Sequence, residues 1–407
     1  MFAFLVISYF FSYFFRVSTS VVLPILQQEW GFSAALAGFI SSMYFYTYAM
    51  MQPLCGMLND KIGPTLVVGV GIIITSIGSI IFGLGNFPAA LVVGRLLMGI
   101  GLSPMLSGLL VYQSTNFSTA RYTSLSGLSM MVGNMGAVFS VAPLSLAIHH
   151  WGRLTVFSSL SLATLAIAAV LLAYSLSRAR APHNGASFRS LLASQFRMAF
   201  STVKASREIK LITMIWMVSF GALMSFQGLW AVSWFSAAYP RDAGLASLSA
   251  TMIGIGVMAG NIIGGALGKV PSKRHRIVSA CVYLTATMWV LVILCFWRQA
   301  PLALTVAAAT FLGITNGVSF VQFTAAINDL APVGQGGSVF GITNFFTFTC
   351  VILFQWGTGS LIGWFGHQMG SAEAYLSTFL IVTLSMVIPC VAAAILAPFS
   401  RVAMPKA

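Results

Sequence analysis

YFFRVSTSVVLPILQQEWGFSAALAGFISSMYFYTYAMMQPLCGMLNDKIGP, residues Tyr13 to Pro64, holds two apolar helix-length runs, one arginine inside the first and one charged turn at the end of the second. Arg16 falls within the run Phe2–Leu26. A charge at the bilayer centre costs about 2.5–3.5 kcal/mol on insertion scales, so it persists where a ligand or a polar partner answers it. Tyr44, Tyr48 and Gln52 follow at i, i+4 and i+8, which puts a polar aromatic stripe on one face of the second helix, beside Arg16 as a cavity wall. The run closes on Gly56-Met-Leu-Asn-Asp60-Lys61-Ile-Gly63-Pro64. There Gly56 permits close helix approach, and Asp-Lys-x-Gly makes a charged tight turn at the membrane surface, read as a gate hinge.

The rest of the chain agrees with a membrane interior. Of 407 residues 58% are hydrophobic and 6% charged, and the mean hydropathy is +0.93, whereas a soluble domain is about a quarter charged. The formal charge of +14 would point to nucleic acid in a soluble protein. Placing the 20 Lys and Arg removes that reading. Lys61, Arg121, the basic residues from Arg178 to Lys210 and from Lys269 to Arg276, Arg401 and Lys406 fall on one side; Arg153, Arg241 and Arg298 fall on the other; Arg16 and Arg95 lie within helices. The positive-inside rule then puts both termini in the cytoplasm. Cys55, Cys281, Cys295, Cys350 and Cys390 sit in or beside apolar runs without metal-ligand spacing and read as packing residues. No cofactor is implied. The first run has neither a basic leader nor a small-residue cleavage site, so it is expected to remain as the first span.

A spanning helix needs about 20 apolar residues, and the sequence offers twelve such runs, near 2–26, 34–58, 65–85, 88–114, 121–148, 153–177, 210–237, 246–268, 277–297, 302–327, 337–363 and 376–398. The expected fold class is an all-α integral membrane protein, with twelve transmembrane helices in two six-helix bundles. Residues 1–177 form the first bundle, 178–209 a basic cytoplasmic linker with an amphipathic helix, and 210–407 the second bundle. In that linker Leu191, Leu192, Phe196, Met198 and Phe200 alternate with Arg189, Arg197 and Lys204, the pattern of a helix lying on the inner leaflet. Gly264-Gly-Ala-Leu-Gly268-Lys269 is a degraded copy of the Gly56–Lys61 turn and hints at internal repetition.

The Gly56–Gly63 turn resembles the G-x-L-x-D-[KR]-x-G signature between the second and third helices of major facilitator superfamily transporters. Tyr13-Phe-Phe-Arg16, Phe45-Tyr-Thr-Tyr48, Gln52-Pro and Gly63-Pro64 look most like the anion:cation symporter branch. The resemblance implies two pseudo-symmetric bundles around a central cavity and alternating access. It also implies that Asp60 latches the inward gate by meeting Arg121 and the helix start near Gly337; a solvated turn is the competing reading. Arg95-Leu-Leu-Met-Gly99-Ile-Gly101 resembles the R-x-x-x-G-x-G element, in which the glycines allow close packing and Arg95 serves either structure or the site. The chain departs from the branch where Phe15 and Leu102 occupy positions that commonly carry carboxylates.

Candidate substrate contacts are therefore Arg16, Tyr13, Tyr44, Tyr48 and Gln52 in the first half, and Gln227, Trp230, Asn316 and Asn344 in the second. The gating set is Gly56, Asp60, Lys61, Gly63, Arg95 and Arg121. Gln227 and Trp230 lie on a seventh run that Gly228 invites to bend, and the two asparagines must face the bundle or a cavity to be satisfied. The paired His149 and His150 read as interfacial rather than catalytic. The function expected is transport of a small organic anion bearing carboxylate or phosphate, held by the planar guanidinium of Arg16. A carrier of a larger amphiphile or drug-like compound is the alternative within transport, and a non-transporting membrane sensor is the alternative outside it. An integral-membrane enzyme would need a nucleophile–base pair, a metal cluster or paired carboxylates at depth, and no such spacing is present. The expected partners are the anion and the lipid bilayer, without nucleic acid; a monomer in a cell membrane, of the bacterial inner-membrane type, is expected.

Overall fold

The computed structural model describes residues 1–177, 197–198, 200–267, 274–332 and 336–396. Every regular element among them is helical, and ten helical segments are long and apolar enough to cross a membrane. Of the twelve expected runs, the second and fifth are helical as α3 (Ala34–Ile62) and α7 (Thr119–Phe139) but fall outside those ten. Serines and tyrosines on α3, and serines and glycines on α7, dilute their apolar content. Contacts gather the chain into two units, one of Met1–Val22 with Phe39–Gln195 and one of Leu23–Gly38 with Phe196–Ala407.

In the first unit the first span is interrupted directly after Arg16. α1 (Phe2–Val17) and α2 (Thr19–Trp30) meet at Ser18. The cause is the run Ser18-Thr19-Ser20, whose hydroxyls compete for the backbone: Ser18 Oγ donates to Phe15 O at 3.0 Å and Ser20 Oγ to Val17 O at 2.9 Å. Pro24 then removes one more helix donor from α2. α4 (Pro64–Leu84) starts on Gly63, whose φ of +98° suits glycine, with Pro64 at its first helical position. α5 (Pro88–Leu102) and α6 (Met105–Asn116) are parted at Ser103-Pro104. Two guanidinium hydrogen bonds from Arg153, to Phe82 O at 3.0 Å and Gly85 O at 2.9 Å, cap the C-terminal end of α4.

The expected run 121–148 is divided at Ser140 and Val141, between α7 and α8 (Ala142–Ser177). Pro143 explains it, since proline cannot donate back into the preceding turn and biases its neighbour away from helix. α8 itself turns at Gly152, φ +76°, where the fifth and sixth expected runs meet. The small residues of α7 let it close on α1: a Cβ on Gly136 would collide with the Phe10 carbonyl oxygen, and one on Gly133 with the Tyr9 ring.

The second unit contains α9 (Arg207–Ser225), a π-helical turn Phe226–Trp230, α10 (Ala231–Ala238), α11 (Ala246–Leu267), α12 (Arg274–Trp297), α13 (Leu302–Leu330), α14 (Gly336–Gly366), α15 (Ser371–Ser385) and α16 (Val387–Leu396). α11 and α13 cross backbone to backbone through Gly256, Gly260, Gly313 and Gly317, and Gln322 Nε2 donates to Gly264 O at 2.8 Å. Phe226 is the hub of an aromatic core, 5.4 Å from Trp234, 5.5 Å from Trp289 and 5.1 Å from Phe379 between ring centres. Within this unit Gly38 abuts the Gln355 carbonyl and Gly359 the Ala34 carbonyl. Large apolar side chains such as Leu162, Leu176, Ile262, Leu353 and Leu384 stand exposed, as lipid-facing residues do. The amphipathic segment expected at 178–209 lies outside the described residues up to 196; Met198 and Phe200 beyond it are helical and exposed.

Gly136→Val is expected to cost about 1–3 kcal/mol through overpacking against α1 and to lower the melting temperature of the detergent-solubilised protein. Gly357 has open space around its Cβ position, so Gly357→Ala is expected to be neutral or stabilising by up to about 1 kcal/mol, because alanine suits a helix better than glycine.

Candidate functional site

α1 carries Tyr9, Tyr13 and Arg16 along one face, at i, i+4 and i+7. α3 presents Tyr44, Tyr48 and Gln52 in the same way. The guanidinium of Arg16, a side chain only 3% exposed, lies 4.6 Å from the Tyr13 ring centre, 5.1 Å from Tyr48 and 6.0 Å from Tyr44. Tyr9 meets Tyr13 edge to face at 5.3 Å, and Tyr44 stacks on Tyr48 at 5.4 Å and 18°. Gln52 hydrogen-bonds the Tyr48 hydroxyl, and Tyr44 Oη lies 3.5 Å from Ser12 O. A guanidinium held over ring faces is stabilised by their quadrupoles while its N–H edge keeps the planar fork that suits a carboxylate or phosphate.

Arg95 on α5 has a different task. It is fully buried, with Nη1 donating to Phe15 O at 2.7 Å and Nη2 to Ser41 O at 3.1 Å. Phe15 O is one of the carbonyls left at the end of α1, so Arg95 fixes the interruption that follows Arg16 and ties it to α3. Its guanidinium also lies 4.7 Å from the Tyr44 ring centre. Gly99 permits this approach, because a Cβ there would collide with Tyr44 O and the Thr47 hydroxyl, and Thr47 Oγ1 donates to Leu96 O at 2.9 Å. Two cations thus share one tyrosine ring in a low-dielectric setting, where like charges raise the local positive potential and an anion would lower it. Phe15 and Leu102 are both fully buried and supply no carboxylate.

Of the gating residues, Gly63 provides the positive-φ turn, while Gly56 borders open space where close helix approach was expected. Asn59 is buried and donates to Ser107 Oγ at 2.9 Å, joining the turn to α6. The side chains of Asp60, Lys61 and Arg121 and the surroundings of Gly337 lie outside the described residues, and with them the expected latch. In the second unit Gln227 and Trp230 sit on the π-turn, Asn316 Nδ2 donates to Leu312 O of its own helix at 3.0 Å, and Asn344 is half-buried. Trp230 Nε1 is committed to Thr358 Oγ1 at 2.9 Å. His149 and His150 are exposed at the outer turn with ring centres 5.4 Å apart. The residues passed over in the sequence are Tyr9, which shares the face of Tyr13 and was legible from its i, i+4 spacing, and Ser225 and Thr358, which had no signal beyond being polar within apolar runs.

The profile of the Major Facilitator Superfamily matches residues 5–355. The chain belongs to the major facilitator superfamily. It is accordingly a multi-span membrane transporter rather than an enzyme. Over 93 residues it is 37% identical to a probable sulfoacetate transporter of Cupriavidus necator, a match covering 23% of this chain and 22% of that protein. Over 94 residues it is 34% identical to a probable L-galactonate transporter of Escherichia coli, covering 23% and 21%. A probable hexose phosphate transport protein of Chlamydia trachomatis is 35% identical over 80 residues, covering 20% and 18%. These matches thus span about a fifth of the relatives' own length. They agree with the anion:cation symporter resemblance. Across whole chains the fold is similar to the nucleoside transporter NupG, with TM-score 0.72, 15% identity and coverage of 97% of this chain and 99% of that one. It is also similar to an inward-facing bacterial homologue of the human lysosomal transporter Spinster, with TM-score 0.71, 14% identity and coverage of 99% and 98%.

Arg95→Leu removes two hydrogen bonds donated by a buried guanidinium and is expected to destabilise the protein by about 1.5–3 kcal/mol for each. Arg16→Gln is expected to lower the melting temperature less than Arg95→Leu does, with thermal unfolding of the two purified variants as the check.

Proposed function

We propose that this transporter carries a small organic anion, with Arg16 as its charge receptor and Tyr13, Tyr44, Tyr48 and Gln52 shaping the site. The observation that supports this most is a guanidinium buried in a membrane span and lined by the rings of Tyr13, Tyr44 and Tyr48. Similarity to transporters named for sulfoacetate, galactonate and hexose phosphate points the same way. In this reading the chain has twelve spans in two six-helix halves, 1–177 and 210–407, joined by the linker 178–209. It works as a monomer by alternating access and keeps both termini in the cytoplasm. Asp60, with Arg121, latches the inward gate, and no nucleic acid or cofactor takes part.

Arg16→Ala should abolish anion uptake into proteoliposomes, and Arg16→Lys should lower it about ten- to a hundredfold, because an ammonium cannot reproduce the fork. Near-wild-type flux in Arg16→Lys, with normal reconstitution, would return Arg16 to a structural role.

Energy coupling follows from where the acids sit. Glu29, Asp242, Asp329 and Glu373 are exposed, Glu208 lies in the first turn of α9, and Asp60 is near the end of α3. None replaces a proton-loading carboxylate at Phe15 or Leu102. An anion would neutralise the cationic site, so the loaded carrier should reorient more readily than the empty one. The reading therefore includes exchange or uniport: counterflow of anion should proceed in proteoliposomes at equal pH on both faces. Strict dependence on an imposed inward proton gradient, with substrate-linked alkalinisation outside, would overturn it.

A further inference from the structure

Ser12 breaks a rule that the other serines of the first span keep. Inside a membrane, a serine hydroxyl is satisfied by donating to a carbonyl of the preceding turn. Ser8 Oγ does so to Phe4 O at 2.8 Å, and Ser18 and Ser20 do so to Phe15 O and Val17 O. On α3, Ser42 Oγ donates to Phe39 O at 2.7 Å. Ser12 has no exposed surface, and its Oγ has no hydrogen-bond partner. A buried donor left unmade is costly, so a ligand that completes the bond gains by it.

The position of Ser12 says which ligand. Ser12 and Arg16 are four residues apart and so lie one turn from each other on the same face of α1. Across from them on α3, Tyr44 reaches both: its Oη lies 3.5 Å from Ser12 O, and its ring centre lies 6.0 Å from the Arg16 guanidinium. The hydroxyl and the guanidinium therefore belong to one place within the first unit. A guanidinium brings only donors. A ligand that answers it and the hydroxyl together must bring acceptors, and an ionised oxyanion brings those alone.

We propose that Ser12 is a further binding residue of the anion site, donating its hydroxyl proton in a hydrogen bond to an oxygen of the head group that Arg16 holds. This rests on the organic-anion reading above. The guanidinium fork takes two acceptor positions of the head group and Ser12 takes a third, so the ligand is a carboxylate, sulfonate or phosphate rather than a neutral amide or alcohol.

The test uses the full-length protein in proteoliposomes, with galactonate, sulfoacetate and glucose-6-phosphate each offered as the labelled anion. Ser12→Ala should raise the KM about tenfold or more for the anions that the wild type takes up, since hydrogen bonds to charged groups are the strong ones. It should leave kcat within about threefold, the pattern of lost ground-state binding. The melting temperature of the ligand-free protein should stay the same or rise, because the hydroxyl has no bond there to lose and alanine suits a helix better. Ser12→Cys, a weaker donor of similar size, should fall between serine and alanine in KM. A rise for every anion taken up assigns the contact to oxyanions in general, and a rise for one head group alone assigns it to that class. Wild-type KM in both variants overturns the proposal. So does a KM that rises only together with a fall in the ligand-free melting temperature, since that is how a serine serving the fold behaves. If Arg16→Ala abolishes uptake while both Ser12 variants keep the wild-type KM, the anion reading stands and this one falls. If the wild type takes up none of the three anions, both fall.

Discussion

The ring of Tyr44 lies against two buried guanidiniums, and the geometry of the first unit depends on how each is answered. Arg95 is answered by backbone: Phe15 O and Ser41 O take its two terminal nitrogens. Arg16, at 6.0 Å on the same ring, has tyrosine faces around it. The two arginines are therefore not equivalent. One spends its donors on holding α1, α3 and α5 together, and the other is placed by that framework. The hydroxyls of Ser18 and Ser20 and the capture of Phe15 O by Arg95 end α1 at the residue after Arg16, so helix interruption and charge placement have one cause.

Most of this site was legible in the sequence, because its parts repeat at helical spacing. Arg16 within an apolar run and the i, i+4, i+8 stripe of Tyr44, Tyr48 and Gln52 come together in the structure. Gly99 and Gly101 serve the close packing their motif implied. What periodicity does not carry is the long-range hydrogen bond. The choice between structure and site for Arg95 rests on carbonyls 80 and 54 residues away in sequence. The π-turn is likewise invisible in Phe-Gln-Gly-Leu-Trp, since its supports lie on α14. The division of the expected run 121–148 was readable from Pro143, which hydropathy alone overrides.

Polar groups elsewhere follow a common rule for a membrane interior. Ser76 and Thr164 pair at 2.7 Å, Thr285 donates to Thr315 at 2.9 Å, and many other hydroxyls return to a carbonyl one turn back on their own helix. Among the described residues the exceptions are the buried amide oxygens of Asn59, Gln227, Asn261, Asn316, Gln322 and Gln355 and the hydroxyls of Ser12, Ser219 and Thr378, which lack a hydrogen-bond partner.

The central claim, that Arg16 reads negative charge, is tested most directly by comparing an acid with its own amide. Thermal stabilisation of the purified protein by galactonate and by galactonamide isolates the charge while keeping size and hydroxyls nearly constant. The account predicts that the wild type is stabilised by galactonate well beyond galactonamide and that Arg16→Gln removes the difference. Equal stabilisation of the wild type by both compounds, or a preference for the acid that survives in Arg16→Gln, would contradict it.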